Sequence, residues 1–398
     1  MPHSEYSPSP AGDSFTDLPP FPNNVPTAPL LRISHEKLLR GDPDEVQRCW
    51  EACCQLGFFY LDLRPSTTFE QTESSVENGP MNGESILRDA DQLFEVMKGF
   101  YELDVQEKVK YDFKDQGSYF GYKGYGEGFI DKQGSRDKNE FYNISKDDIL
   151  DLTPPLPSPA ILNPHRALYK SYIHSSHAIC MLIASLVSSR LPLTPTSRAA
   201  GGLPAIHRLT AISGDQIRFV KAPPQETSAK GVALGEHTDF GSVTVLFNKL
   251  GGLQVRLPDY ISPLAPASSD PPMSEAEKRL CEGGWTYVRP LPGHCIVNLG
   301  DALVKFSAGK LRSNIHRVVA PPGEQGKVTR YSLVYFCRPE DDVVLKSLVG
   351  GGEKEEEEEE VTAKEWILRR ALGRRKADGW AESGGTERES MRGGGMRV

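Results

Sequence analysis

The sequence predicts a mainly β protein with flanking helices, and three observations support this prediction. Between residues 206 and 339, seven short runs of β-branched and apolar residues alternate with turn residues. This spacing is typical of all-β barrels and sandwiches. Residues 29–205 instead contain segments with apolar residues at helical spacing. A further helix-forming segment follows the β region, so we expect a β core with helices before and after it.

The composition narrows the class of protein. A chain of 398 residues is long enough for one large or two ordinary domains. Its net charge of −8 argues against general nucleic-acid binding and gives no reason to expect an anionic membrane as partner. No long uncharged apolar run predicts a membrane span, and the N-terminus does not resemble a signal peptide. The seven cysteines contain no CxxC pair, so we expect free thiols in a reducing cytoplasm.

Residues 29–205 predict an N-terminal α/β region. Residues 1–28 are rich in proline and predict a disordered lead-in. Asp42 and Pro43 predict the N-cap and first position of a helix that ends near residue 56. We expect a flexible insertion at 65–84. The remaining predicted elements are strands at 30–34, 58–61 and 138–144 and helices at 86–100 and 165–191.

The aromatic and glycine-rich run 119–129 cannot be a helix. It favours an aromatic-packed turn, with a loop that lines a substrate pocket as the alternative. Residues 258–284 interrupt the β region with Pro, Ser and Asp, and 274–281 predicts a short helix there. This insertion is either a lid or a surface loop. The seven predicted strands are 217–221, 242–248, 253–257, 285–289, 295–299, 314–319 and 331–337.

The last part of the chain, 341–398, predicts three segments. The acidic run 353–360 is typical of solvated sequence. Thr362 and Glu365 form a capping-box pattern ahead of apolar residues, which predicts a helix to about residue 375. Residues 378–398 are rich in glycine, and we expect them to be disordered.

A candidate metal site stands out in the β region. His237 and Asp239 are two residues apart before a β-branched run, and alternate residues of a strand face the same side. His316, in another strand-like run, is the best candidate for a third ligand. Two histidines and one carboxylate leave coordination positions open, as in non-heme Fe(II) oxygenases. A His-x-Asp pair alone is also compatible with an ordinary surface or core pair.

Four motifs in order resemble those of the 2-oxoglutarate- and Fe(II)-dependent dioxygenases, in particular the isopenicillin N synthase-like superfamily. The resemblance covers roughly residues 29–340 and the terminal helix. It implies a double-stranded β-helix, or jelly roll, over residues 206–340. The motifs are His237-Thr-Asp239-Phe-Gly-Ser, Val297-Asn-Leu-Gly-Asp301, Ser313-Asn-Ile-His316-Arg and Arg330-Tyr-Ser332.

The resemblance implies an enzyme that uses Fe(II), 2-oxoglutarate and O2. His237, Asp239 and His316 would bind the iron, and Arg330 and Ser332 would bind the distal carboxylate of 2-oxoglutarate. Arg330 and Ser332 are two residues apart on one predicted strand, so both can point inward. The expected reaction is hydroxylation or desaturation of a small organic substrate, coupled to decarboxylation of 2-oxoglutarate to succinate and CO2.

One stretch departs from the family pattern. Ala222 occupies the position before the Pro pair where relatives commonly carry Tyr, and Val220 the position where they carry Asn. One hydrogen bond to 2-oxoglutarate is then missing or is supplied by another residue, for which Lys221 is a candidate. Two alternatives therefore stay open. The chain is an iron oxidase of this fold that does not use 2-oxoglutarate, or it is a catalytically silent binding protein.

The sequence offers weak candidates for the substrate pocket. The aromatic candidates predict an apolar or ring-containing substrate, and the family's common use in specialised metabolism predicts such a role here. Asn298 and Asp301 are expected to fix a turn by hydrogen bonds, and Arg317 to face away from His316. The pocket candidates are Tyr119, Tyr122, Phe129, Asn143, Lys221 and Phe240.

Overall fold

The computed structural model describes most of the chain. The predictions of disorder or flexibility for residues 65–84, 353–360 and 378–398 fall wholly or largely outside the described residues. The disorder predicted for residues 1–28 is contradicted over residues 17–28, because Val25 and Ala28 are buried and the Ala28 N–H donates to the Tyr287 carbonyl oxygen at 2.8 Å. The described residues are 15, 17–65, 82–131, 133–225, 232–265, 272–350, 360–373 and 375.

Within these ranges twelve strands form two sheets. The strands are β1 (Arg32–Ser34), β2 (Phe58–Asp62), β3 (Gly121–Lys123), β4 (Glu140–Ser145), β5 (Gln216–Ala222), β6 (Val232–His237), β7 (Val243–Asn248), β8 (Leu253–Arg256), β9 (Trp285–Tyr287), β10 (His294–Leu299), β11 (His316–Val319) and β12 (Arg330–Cys337). The larger sheet has the order β1-β2-β10-β7-β12-β5-β4-β3, and the smaller one has the order β6-β11-β8-β9.

Ten α-helices flank the sheets in the described chain. They are α1 (His35–Leu39), α2 (Pro43–Gln55), α3 (Gly83–Tyr101), α4 (Val105–Lys108), α5 (Lys146–Ile149), α6 (Arg166–Arg190), α7 (Pro195–Ala199), α8 (Glu275–Leu280), α9 (Asp301–Phe306) and α10 (Ala363–Gly373).

The predicted fold class is confirmed: two facing β-sheets of a jelly roll carry helices on the outer side of the larger sheet. The seven strands predicted in the β region are all present, with ends shifted by at most two residues. The strands β3 and β6 and the short helices α1, α4, α5, α7 and α9 were not predicted from the sequence. The predicted caps are present, because the Asp42 side chain accepts from the backbone N–H of Glu45, and Thr362 and Glu365 form a reciprocal capping box.

Helix α6 organises the core outside the jelly roll. It packs against α3 and against strands β7 and β12 of the larger sheet. Its apolar length would suffice to cross a membrane, and 67% of that stretch is buried inside the protein. The helix layer thus fixes the outer face of the larger sheet, and the inner face is left to the site between the sheets.

The smaller sheet covers the inner face of the larger one. Its central strand β11 pairs with β6 through His316 and His237, and with β8 through His316 and Val255. Strands β5, β7 and β12 of the larger sheet face it across a cavity. This arrangement places the predicted ligand His316 in the middle of the smaller sheet rather than at an edge.

Candidate metal centre and substrate cavity

Two histidines and one carboxylate converge at the inner face of the smaller sheet. Asp239 Oδ1 lies 4.0 Å from His237 Nε2 and 3.9 Å from His316 Nε2. All three side chains are buried, and one ligand atom of each lies within 4.8 Å of the others. The three residues predicted from the sequence are therefore brought together in one place.

Local hydrogen bonds orient both imidazoles. Nδ1 of His237 contacts the Gly235 carbonyl oxygen at 2.8 Å, and Nδ1 of His316 contacts the Asn314 carbonyl oxygen at 3.1 Å. A carbonyl only accepts, so each Nδ1 carries the proton and donates it. Each Nε2 then carries no proton and faces Asp239, which is the tautomer that metal binding requires.

The carboxylate of Asp239 is oriented in the same way. Its Oδ2 accepts from the Thr244 hydroxyl and from the Asn298 side-chain amide, both at 2.7 Å. These two bonds leave Oδ1 directed towards the imidazoles. The donor set of two neutral imidazole nitrogens and one carboxylate oxygen suits Fe(II) and leaves other coordination positions for reactants. The residues present therefore fit an iron ion.

Two details of the predicted site are corrected by the structure. His237 ends β6, and Asp239 lies in the following turn before β7, so strand alternation is not what aligns them. The turn itself is fixed by the backbone of Asp301, whose N–H donates to the Asp239 carbonyl oxygen at 2.8 Å. Asn298 lies in β10 and Asp301 begins α9 rather than both lying in a turn. Both nevertheless hold residues 238–242, the metal loop, by hydrogen bonds to Asp239, as expected.

A cavity of about 160 Å³ opens beside the three side chains, between the two sheets. Along β12 its wall is formed by every second residue, as expected for a strand with one face inward. Residues in the described part of the 258–284 insertion are not among those that line it, which agrees with a surface loop. The cavity-lining residues of β12 and its immediate continuation are Arg330, Ser332, Val334, Phe336 and Arg338.

Arg330 supplies a buried positive charge at one end of this cavity. Its Nε donates to the Gly251 carbonyl oxygen at 2.7 Å, and its Nη1 donates to the Ser332 hydroxyl at 2.5 Å. Burial lowers the pKa of Arg330 to about 10, so it remains charged at neutral pH. No carboxylate in the described part of the chain pairs with it. A buried cation without a counter-ion is costly, and an anionic ligand would offset this cost.

The departure at Ala222 is visible next to Arg330. Ala222 pairs with Arg330 across β5 and β12, and its methyl group brings no hydrogen-bond donor to this end. Lys221 does not replace the missing hydroxyl, because its Nζ lies 3.1 Å from Glu140 outside the cavity. Among the described cavity-lining residues the single tyrosine is Tyr119, which lies near Arg338 instead.

Three of the six predicted pocket residues line the cavity: Tyr119, Phe129 and Phe240. The other three, Tyr122, Asn143 and Lys221, lie outside its wall. The Tyr122 hydroxyl donates to Glu140 at 2.6 Å, in the same polar cluster that holds Lys221. The run 119–129 thus both lines the cavity and packs against the core.

Asn143 does not line the cavity, but it contacts a residue that does. Its side-chain oxygen accepts from Arg218 Nε at 2.7 Å, and Arg218 itself lines the cavity. Neither Arg218 nor Arg338 was predicted from the sequence as a pocket residue. The second of these could have been found, because Arg338 continues the alternation that begins at Arg330 and Ser332.

The terminal helix α10 packs directly onto the metal loop. Arg370 Nη2 lies 3.0 Å from Asp301 Oδ2, and both side chains are almost fully buried. The same oxygen accepts from the Thr238 hydroxyl at 3.0 Å. Trp366 Nε1 donates to the Phe240 carbonyl oxygen at 3.2 Å. The loop that carries Asp239 is therefore braced from the C-terminal side of the chain.

The fold and this site define a class of protein: a jelly roll with a facial His-Asp-His set and a buried arginine across the cavity is typical of non-heme iron oxygenases. Comparison with known proteins identifies the family within this class. The 2OG-Fe(II) oxygenase superfamily matches residues 214–339. A 2-oxoglutarate-dependent dioxygenase of Aspergillus fumigatus is 32% identical over 346 residues, which cover 85% of this chain and 83% of that protein. One from Glarea lozoyensis is 29% identical over 337 residues, 85% of each chain.

Solved structures show the same fold. A full-length Neurospora crassa protein, crystallised with alpha-KG and 5-formyluracil, superimposes with a TM-score of 0.61 at 21% identity, over 86% of this chain and 96% of that one. A 2OG-Fe(II) oxygenase family protein from Caulobacter crescentus gives 0.62 at 20% identity, over 86% and 98%. The chain belongs to the 2OG-Fe(II) oxygenase superfamily. It is an Fe(II)- and 2-oxoglutarate-dependent dioxygenase, as the sequence resemblance implied.

Proposed function

We propose that His237, Asp239 and His316 are the iron ligands of this enzyme. The observation that carries the proposal is the convergence of Asp239 Oδ1 with two Nε2 atoms whose ring partners fix the metal-binding tautomer. When bound, Fe(II) supplies the activation of O2 that this chemistry requires. The protein's part is to hold the three ligands on one side, so that the other side faces the cavity.

We propose further that Arg330 and Ser332 bind the distal carboxylate of 2-oxoglutarate. Support comes from the buried charge of Arg330 and from the Ser332 hydroxyl beside it on the same face of β12. A guanidinium and a carboxylate can form two parallel hydrogen bonds, which are stronger than neutral ones. Because Ala222 brings no hydroxyl here, Arg330 and Ser332 provide the polar contacts at this end.

The substrate is a small molecule, as for the superfamily, and we propose that it lies on the opposite side of the metal ligands from Arg330. Phe129, Phe240 and Tyr119 line the cavity and favour a substrate with a ring or an apolar body. The fungal origin of the two relatives described above supports a role in specialised metabolism. Seven free cysteines, most of them buried, support a cytoplasmic location.

Anaerobic titration of the purified protein with Fe(II) and 2-oxoglutarate tests the ligand assignment. We expect a weak visible charge-transfer band that needs both additions. The variants His237→Ala and Asp239→Ala should lose the band and the substrate-dependent release of succinate. His294→Gln, which changes a histidine on β10 outside the cavity, is the matched control and should retain both.

The same titration separates the proposed enzyme from its alternatives. Iron binding without a band in the presence of 2-oxoglutarate would indicate an oxidase that works without this cosubstrate. Absence of iron binding would indicate a silent scaffold. Retention of the band in both ligand variants would overturn the assignment of His237 and Asp239.

A further inference from the structure

A second buried arginine, Arg338, lies at the end of the cavity opposite Arg330. The two residues are eight positions apart along an extended segment, a span of at most about 26 Å. Between them Phe336 pairs with Thr244, whose hydroxyl holds Asp239. The metal loop therefore lies level with the stretch between the two arginines. If 2-oxoglutarate binds at the Arg330 end of the cavity, Arg338 lies at the end that is left for the substrate.

The surroundings of Arg338 satisfy only part of its side chain. Only 4% of the residue is exposed, and it lines the cavity. Its Nη1 donates to the Gly214 carbonyl oxygen, and Tyr119 Oη lies 3.4 Å from the same nitrogen. Its Nε is buried without a hydrogen-bond partner. Within the described ranges, no carboxylate oxygen lies within ion-pair distance of the guanidinium. A buried charged donor in this condition is costly unless a ligand satisfies it.

Two glycines provide the space that the Arg338 side chain occupies. A Cβ atom on Gly241 would lie 2.9 Å from Arg338 Cγ, and one on Gly214 would lie 3.0 Å from Cδ. Both distances are too short for ordinary carbon contacts. Any side chain at either position would displace the arginine stem from its place beside the metal loop. A Cβ on Gly214 would also lie 2.5 Å from Tyr119 Oη, and one on Gly241 would lie 2.8 Å from the Cys337 carbonyl oxygen, so both glycines keep room for these groups together with the arginine.

Aromatic rings lie next to the Arg338 guanidinium. The Arg338 guanidinium carbon lies 5.4 Å from the centre of the Phe336 ring, and that of Arg218 lies 5.0 Å from the same ring. Arg218 also lies 4.1 Å above the ring of Phe141, and Asn143 fixes its orientation. This part of the cavity therefore combines two guanidinium groups with flat apolar surfaces. Such a wall matches a planar molecule that carries a negative charge at one end.

We propose that the substrate of this enzyme carries a carboxylate that binds to Arg338, with a planar apolar body lying along Phe336 and Phe141 towards the metal ligands. Arg338 is then a specificity-determining residue, because it selects acids over neutral molecules of the same shape. Arg218 adds a second positive charge beside it. The direction in which the substrate points depends on the proposed function. The binding of the acid to Arg338 does not depend on it.

Matched pairs of acids and amides test the proposal. The probes are benzoate, cinnamate and naphthalene-2-carboxylate, each with its carboxamide, and binding is measured by calorimetry on the full-length protein with Fe(II) and 2-oxoglutarate under anaerobic conditions. We expect at least one acid to bind tenfold or more tightly than its amide. Equal binding of acid and amide in every pair, or no binding of any acid at millimolar concentration, would overturn the proposal.

Substitutions of Arg338 test whether this residue causes the preference for the acid over the amide. Arg338→Met should remove the preference for the acid, and Arg338→Lys should retain part of it because the charge remains. Arg198→Met removes an exposed cation of α7 and should leave the preference unchanged. Thermal unfolding and the iron–2-oxoglutarate band are measured on each variant, so that a protein that fails to fold is recognised. A preference that persists in a folded Arg338→Met protein would contradict the role of Arg338.

Failure of the proposed function would look different. If the iron–2-oxoglutarate band does not form, the ligand or cosubstrate assignment is wrong. The acid and amide pairs can still be compared on the metal-free protein. A preference for the acid that depends on Arg338 there would support the substrate site independently of the metal.

Discussion

Arg370 of the terminal helix and Asp301 of α9 form an ion pair at 3.0 Å in which both side chains are almost completely buried. They are 69 residues apart in sequence. Because the backbone N–H of Asp301 donates to the carbonyl of Asp239, this pair connects the end of the described chain to a proposed metal ligand. The position of the metal loop therefore depends on a helix that lies outside the jelly roll.

The first prediction concerns this pair. Arg370→Met should lower the free energy of unfolding by about 3–5 kcal/mol, because it leaves the charge of Asp301 buried without its guanidinium. Urea unfolding of the metal-free protein measures the loss. Adding Asp301→Asn to the variant should recover part of it. The exposed neighbour variant Arg369→Met should change the unfolding free energy by less than about 0.5 kcal/mol, and an equal loss in both would contradict a specific role for the pair.

A second prediction addresses the orientation of Asp239. Thr244→Val removes one of the two donors to Oδ2 and should weaken Fe(II) binding roughly 10- to 100-fold, as loss of ligand-orienting contacts commonly does. Thr286→Val removes a buried threonine hydroxyl from β9, away from the cavity, and serves as the control. Fe(II) affinity is measured anaerobically by titration. Similar affinities in the two variants would show that the hydroxyl of Thr244 does not orient the ligand.

A third prediction separates two cations near the 2-oxoglutarate end. Arg330→Ala should raise the dissociation constant for 2-oxoglutarate roughly 10- to 100-fold, because a charge-assisted hydrogen bond contributes about 1.5–3 kcal/mol. Lys221→Ala should leave it unchanged, since that ammonium pairs with Glu140 outside the cavity. Anaerobic titration followed by the visible band gives both constants. If the dissociation constant rose more in Lys221→Ala than in Arg330→Ala, Lys221 rather than Arg330 would be the residue that contacts 2-oxoglutarate.

A fourth prediction concerns stability as a function of pH. Burial lowers the pKa of His35 to about 4 from its ordinary value near 6.5, and nearby Glu36 only partly offsets this. Between these values the unfolded chain binds a proton that the folded chain does not, so stability falls as the pH falls from 6.5 to 4.

The variant His35→Gln should lack this contribution. The difference in unfolding free energy between wild type and variant should shift by up to about 3 kcal/mol across that interval. Chemical unfolding at a series of pH values measures it, with His165→Gln as a control at a partly exposed histidine. A difference that stays constant with pH would show that His35 is not the group responsible.

The candidate metal ligands could be named from the sequence because their types and order are specific, even though the structural reason for the His-x-Asp spacing was wrong. Alternation along a strand predicted the shared face of Arg330 and Ser332. Alternation alone, however, does not show which of two neighbouring residues on a strand faces the cavity. Val220 of β5 lines the cavity, so Lys221 necessarily faces away, and only the pairing of the strands reveals which of the two is inside.

Other features depend on contacts between distant parts of the chain. The capping box at Thr362 and Glu365 predicted the terminal helix, but no local pattern indicated that Arg370 would be buried against Asp301. Similarly, Tyr122 belongs to an aromatic run that suggested a pocket, and its hydroxyl is instead used by Glu140. Packing partners that lie far away in sequence decided both outcomes.

The dependence of the metal loop on α10 also affects the order in which the enzyme matures during synthesis. All strands of the jelly roll leave the ribosome before α10, and parts of a chain can fold as they emerge. Until α10 docks, the carboxylate of Asp301 has no guanidinium to neutralise it in the core. We therefore expect a nascent chain that still lacks α10 to hold the loop of Asp239 less firmly than the chain that contains it.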